Sequence, residues 1–243
     1  MLWRRWSRAV IAVGAVSVLA LSASGCGGPA GRASAEAGIE SARATAAPAG
    51  LRPLTQKDVG AALLSPGDLP QGWSTTEEDL TWSEEPAGIK DDLRADDPNC
   101  ERAVAQSHHN ARTTGGGSRK LDNSATGSAF MTGLSIYGSE RGARQDLETA
   151  RQLRRYCTAE AGVKDHTEDG TYDTSYGVLS APERGDETVG VRMKINGTRI
   201  DEYLIRIGPN VVNVTLFNDT GDDRQLVEDL TAQAVEKVRQ AAH

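Results

Sequence analysis

Few side chains in this sequence are spaced for chemistry, and the three cysteines at 26, 100 and 157 are the most constrained of them. Nucleophilic catalysis finds no support, because there is no Gly-x-Ser-x-Gly elbow, no Ser-x-x-Lys and no free cysteine set beside a histidine. His108-His109 is a poor chelate without placed partners, His166 is isolated, and the fourth histidine is His243, so no metal site is expected. Asp165-His166-Thr167-Glu168-Asp169-Gly170 departs from a calcium loop, with Thr167 at its third position and Tyr176 at its twelfth, and reads as a turn. The pairs Asp91-Asp92 and Asp96-Asp97 read as solvated loop charges. Gly115-Gly116-Gly117-Ser118-Arg119-Lys120 lacks the spacing of a phosphate loop and reads as a flexible segment, so no cofactor is expected. What remains is a set of aromatic residues, Trp73, Trp82, Tyr137, Tyr172 and Tyr176, able to line a ligand cleft or to pack a core.

The cysteine at 26 has a context of its own. Residues 1–8 carry Arg4, Arg5 and Arg8, and Ala9 to Leu21 is almost uninterruptedly apolar. That run is short of the ~20 residues that span a bilayer but suits the core of a secretory signal. Leu21-Ser22-Ala23-Ser24-Gly25-Cys26 then resembles the lipobox of bacterial lipoproteins, in which the cysteine thiol receives a diacylglycerol and the new amine can be acylated, commonly as palmitate. The expectation is a signal over 1–25 and a lipid-anchored Cys26, exported by the general or the twin-arginine route. Two acyl chains hold a protein on a bilayer, where one is marginal. With Cys26 lipidated, Cys100 and Cys157 remain as an even pair in an oxidising compartment, and an internal Cys100–Cys157 disulfide is expected, with two buried thiols or an intermolecular bridge as the alternatives. Residues 27–50 are Ala, Gly, Ser and Pro with scattered charges, too poor in large apolar groups to offset their ordering entropy. They read as a stalk, so 26–50 is anchor and tether.

The folded part is expected over 51–243 as a single domain. Without residues 1–25, 24 bases face 34 acids, a net −10, which excludes a nucleic-acid partner that would need a basic face. Thr55 as N-cap, with Asp58 favourable in the first turn, opens a helix bearing Val59, Ala62 and Leu63. Phe130, Leu134 and Ile136 mark a strand, and Ser139 caps a helix whose stripe is Ala143, Leu147, Ala150, Leu153 and Cys157. Thr171–Leu179, Thr188–Ile195, Glu202–Ile207 and Val211–Phe217 read as strands, with Asn196-Gly197 as a two-residue hairpin turn. A helix from about Asp222 carries Leu226, Leu230, Ala234 and Val238. The order implies an α+β fold with an antiparallel sheet and helices packed mainly on one face.

Several stretches resemble a known family: Ala61-Ala62-Leu63-Leu64-Ser65-Pro66-Gly67-Asp68-Leu69-Pro70, Leu134-Ser135-Ile136-Tyr137-Gly138-Ser139, Arg155-Tyr156-Cys157, Ile205-Arg206-Ile207-Gly208 and Val211-Val212-Asn213-Val214. They are similar to the actinobacterial sensor-domain family, found as the extracellular domain of mycobacterial serine/threonine protein kinase H and as free lipoproteins of that shape. The resemblance implies a two-layer α+β module with a cleft, outside the membrane, for a small ligand. The kinase member has two disulfides, while this domain has cysteines for one.

The function expected is therefore a membrane-anchored extracytoplasmic lipoprotein with a non-catalytic, sensor-like domain that meets a small molecule, an envelope component or a protein. Two other classes stand beside it. One is a cell-envelope enzyme working with carboxylates in a cleft, which strongly raised carboxylate pKa values in a shared pocket would favour. The other is a purely structural envelope lipoprotein.

Overall fold

The computed structural model describes residues 51–75, 77–82, 92–107, 113–167, 170–217 and 224–242. The signal, Cys26 and the stalk lie outside them, as do Asp91, His108, His109, Glu168, Asp169 and His243.

The ordered chain begins with two capped turns. Asp58 accepts hydrogen bonds from the Thr55 N–H and hydroxyl, both at 2.8 Å, and these with the Arg52 guanidinium pull its carboxyl down to about 2. A 3₁₀ turn, Gln56–Asp58, then runs into a single helical turn α1, Val59–Ala62. Ser65 and Asp68 repeat the device, and Lys237 closes on Asp68 from the last helix. The strands are β1 Trp73–Thr75, β2 Leu80–Trp82, β3 Asp92–Arg94, β4 Thr113–Asn123, β5 Ser128–Tyr137, β6 Val163–Thr167, β7 Gly170–Leu179, β8 Glu187–Ile195, β9 Thr198–Ile207 and β10 Asn210–Phe217. The longer helices are α2 Pro98–Ser107, α3 Glu140–Tyr156 and α4 Arg224–Ala242.

Ten strands form one antiparallel sheet in the order β1-β4-β5-β10-β9-β8-β7-β6-β3, with β2 also paired to β4. The α+β class and the antiparallel sheet are as the sequence implied. Its helices divide between the two faces, and the reason is in the central strands. Val211 and Val212 are consecutive in β10 and both buried, so each face needs a cover. Val212, Val214, Leu216, Ile205 and Tyr203 pack against Leu230, Ala234 and Val238 of α4 and Leu63 after α1. Val211, Val189, Val191 and Ile200 pack on the other side against Ala143 and Leu147 of α3.

Two segments differ from the sequence reading. The glycine run expected to be flexible belongs to β4, an inner strand. A Cβ on Gly116 would stand 2.3 Å from the Leu134 carbonyl and 2.6 Å from the Trp82 ring, and one on Gly117 would stand 2.6 Å from Val59. Glycine there lets neighbours lie directly on the backbone. Asp165, His166 and Thr167, read as a turn, belong to β6 between β3 and β7. The Asn196-Gly197 turn is as expected, with φ of 48° and 81° joining Ile195 to its partner Thr198.

Cys100 of α2 is disulfide-bonded to Cys157, the residue that ends α3, with Cα atoms 4.8 Å apart. Both are fully buried among Ala103, Val104, Leu153, Ala161 and Val163, a small third core. The internal pairing is thus the one of the three open possibilities that the fold realises. Among the described residues no helix is long and apolar enough to cross a membrane.

Candidate functional site

The sheet face under α3 carries an unusual polar insertion. Strand alternation puts Ile200, Glu202, Leu204 and Arg206 of β9 on that face, beside Val211, Asn213, Thr215 and Phe217 of β10. Asp146 enters from above, since it stands one residue before the buried Leu147 and three after the buried Ala143. Glu202 and Asp146 therefore both lie at the seam between helix and sheet, each half-buried.

Desolvation raises both acids. Burial pushes Asp146 up to about 6 against a lowering hydrogen bond from Tyr137. Burial pushes Glu202 up to about 7, the negative charge of Asp146 adds to the rise, and a hydrogen bond from Asn213 opposes it. The Asn213 Nδ2 donates to Glu202 Oε1 at 3.1 Å. Gly133 of β5 lies opposite Asn213, and a Cβ there would come within 2.0 Å of Asn213 Oδ1, so the glycine is what lets the amide lie across the sheet. Thr215 is the direct cross-strand partner of Glu202 and is 0% exposed. Its Oγ1 and the Asn213 Oδ1 are buried without a hydrogen-bond partner.

The cations nearby are engaged elsewhere. Arg151 pairs with Glu187, Arg144 with Glu140, and Arg154 donates to the Gly190 carbonyl at 2.7 Å. Arg206 binds Asp186 at 3.0 Å and Glu187 at 3.3 Å. On the opposite face Asp201, fully buried, is bound by Arg192 at 2.7 Å and by Arg199. Burial opposes its ionisation, but the two guanidiniums prevail and hold its carboxyl below the ordinary value. Neither Asp146 nor Glu202 has such a partner among the described residues.

The aromatic residues singled out from the sequence separate. Tyr137 hydrogen-bonds Asp146, and Tyr176 packs against both cores to which α3 contributes, while its N–H donates to the Cys157 carbonyl at 2.7 Å. Trp73 packs edge-on to Phe130 at 5.0 Å in the core on the α4 side. Trp82 lies over Gly116, and Tyr172 is half-buried in β7. A shallow depression of about 570 Å³ lies among Ser65, Pro66, Thr75, Glu77, Glu78, Asp79 and Arg119, where Arg119 already pairs with Asp79. Among the described residues no group of three or more His, Cys, Asp or Glu could hold a metal.

The sequence reading missed Asp146, Glu202, Asn213 and Thr215. A signal existed for Asp146, which flanks the apolar stripe of its helix. Glu202 gave none, because an alternating strand with Glu and Arg on one side looks the same whether that side meets water or a helix.

The architecture has a known class. It is an α+β domain built on one large antiparallel sheet. The fold is similar to that of the extracellular domain of PknH from Mycobacterium tuberculosis, with a TM-score of 0.54 and 15% identity over 79% of this chain and 100% of that one. A Rv0999 ortholog from Mycobacterium smegmatis aligns with a TM-score of 0.44 and 15% identity, over 71% of this chain and 92% of that one. No family profile matches the chain, and no curated protein matches it in sequence. The resemblance carried by the short stretches above holds at the level of fold.

Proposed function

We propose that this protein is an extracytoplasmic module, held to the membrane by a lipid on Cys26 and a stalk over 27–50, that binds a small ligand without transforming it. The observation that carries the reading is the polar seam under α3. There, two carboxylates without a cationic partner and two unpartnered oxygen atoms are held on a fold like that of an extracellular sensor domain. Natural folds rarely leave buried polar atoms unsatisfied, and a bound water, ion or ligand is one reason that they do. Tyr137 forms one wall of the seam and Tyr176 packs beyond it on the same helix. The test is mass spectrometry of small molecules that co-purify with the protein from its native host. A stoichiometric compound lost on Glu202→Gln supports the reading, and a ligand-free protein from every growth condition counts against it.

One observation favours a second reading. A carboxylate near 7 beside one near 6 is the arrangement an envelope enzyme would use for proton transfer. Turnover separates the two: the binding reading expects the co-purified compound to be recovered unchanged after long incubation with the protein, and the enzymatic reading expects a product.

A further inference from the structure

We infer that the seam between α3 and the β9–β10 pair takes an organic cation, an aliphatic amine or diamine whose ammonium is held by Asp146 and Glu202, with Thr215 Oγ1 and Asn213 Oδ1 as further acceptors. The inference rests on the binding reading above and names the chemical class of its ligand.

Charge gives the first argument. Two carboxylates share one low-dielectric seam, and the arginines around them are taken up by Glu187, Glu140, Asp186, Asp201 and the Gly190 carbonyl. An anion would meet repulsion there, and a neutral ligand would leave the pair uncompensated. The second argument is donor count. The open acceptors on this face are the Asn213 amide oxygen and the Thr215 hydroxyl, which can also donate, beside carboxylates that each accept one hydrogen bond, from Asn213 and from Tyr137. An ammonium brings three N–H donors and no acceptor, which matches that set.

A metal ion fits less well. Calcium takes six to eight oxygens and magnesium a near-ideal octahedron, whereas this face offers four oxygen-bearing side chains, two of them neutral. Asp146 acts on Glu202 as a nearby negative charge. The lining decides between a bare ammonium and a larger amine. Leu147, Val191 and Tyr137 are buried in one cluster with Leu204 packed against it, so the surroundings of the acids are apolar and suit an alkyl stem better than a hydrated ion.

The experiment is calorimetric titration of the full-length protein at pH 8 with 1,4-diaminobutane, with butane-1,4-diol as the uncharged isostere and calcium chloride as the metal. The diamine should bind saturably and at least tenfold more tightly than the diol or calcium. Glu202→Gln and Asp146→Asn, which keep shape, should each weaken it at least tenfold. The unaltered protein supplies a measurement independent of any variant: affinity should fall at least tenfold between pH 8 and pH 5, as the acids take up protons. No saturable binding of the diamine, binding indifferent to Glu202→Gln, or calcium bound more tightly than the diamine would each overturn the assignment. Recovery of a neutral or anionic co-purified ligand that competes at Glu202 would overturn the cation and leave the binding module standing.

Discussion

Replacing Glu202 with Gln should stabilise the protein at pH 8 and leave it unchanged at pH 4. Glu202 is raised from 4.5 to about 7, so the native state holds its proton more tightly than the unfolded chain does. The sign follows from linkage: the advantage is complete below about 4.5, and it is lost as the pH climbs through the folded value near 7. Above that, the fold carries the cost of an ionised acid in a desolvated seam. At 1.36 kcal/mol per pH unit the shift has a ceiling of roughly 3 kcal/mol. Glu202 is half-buried and titrates together with Asp146, which brings the figure for one residue to about 1–2 kcal/mol. Glutamine keeps the oxygen that accepts from Asn213 and brings an N–H that can reach the bare Thr215 hydroxyl. For a domain of this size ~1 kcal/mol moves the midpoint by about 2–4 °C, so Tm should rise by roughly 2–8 °C at pH 8. Thermal unfolding followed by circular dichroism at pH 4, 6 and 8 reads the difference between the two proteins directly. A variant that melts lower at pH 8, or that differs equally at all three values, would refute the electrostatic account of this seam.

Other outcomes follow from the same structure. Cys157→Ser should lower Tm by roughly 8–16 °C in oxidised protein, because a bridge at a sequence separation of 57 constrains the unfolded chain by about 4 kcal/mol, and a non-reducing peptide map should show the Cys100–Cys157 link. Gly116→Val should destabilise by about 3 kcal/mol or more and shift the emission of Trp82, since its Cβ would stand 2.6 Å from that ring and 2.3 Å from the Leu134 carbonyl. Unchanged urea midpoints would show that β4 is not packed this way. Cys26→Ser should move the protein from the membrane fraction to the soluble fraction, and continued sedimentation with membranes would remove the lipid anchor from the proposal.

How far the sequence reveals this molecule depends on which physical rule governs each segment. Ser139 and the stripe at Ala143, Leu147, Leu153 and Cys157 define α3, because capping and a 3.6-residue period are local rules, and Ser139 Oγ does accept from the Gly142 N–H at 3.3 Å. Asn196-Gly197 likewise marks its turn through positive φ alone. β4 obeys a nonlocal rule. Its glycines look like a loop until Trp82, Val59 and Leu134 are brought against them, and only the folded sheet does that. The helices on both faces escape for a related reason. Glu202 and Arg206 make one side of β9 look solvated, while Ile200 and Leu204 between them belong to a core that α3 completes. The aromatic residues were legible as apolar bulk, and their distribution over different cores is a property of the pairing register.

The contrast between two consecutive residues gives the seam its meaning. Asp201 and Glu202 project to opposite faces of the same strand, and both lose water on folding. For Asp201 the fold supplies two guanidiniums, so the acid ionises readily even with no exposed surface. For Glu202 it supplies a single amide hydrogen bond and sets a second acid nearby, which makes matters worse. A sequence this rich in arginine does not lack the means to neutralise Glu202. Arg151 and Arg206 lie on the same helix and strand as the pair and are spent on Glu187. The pair is therefore left open at a cost the rest of the sheet avoids, and selection on stability alone would have closed it with a hydrophobic pair or an arginine. What can repay that cost is a cation from outside the chain, and the pH-dependent affinity for a diamine is its direct measure.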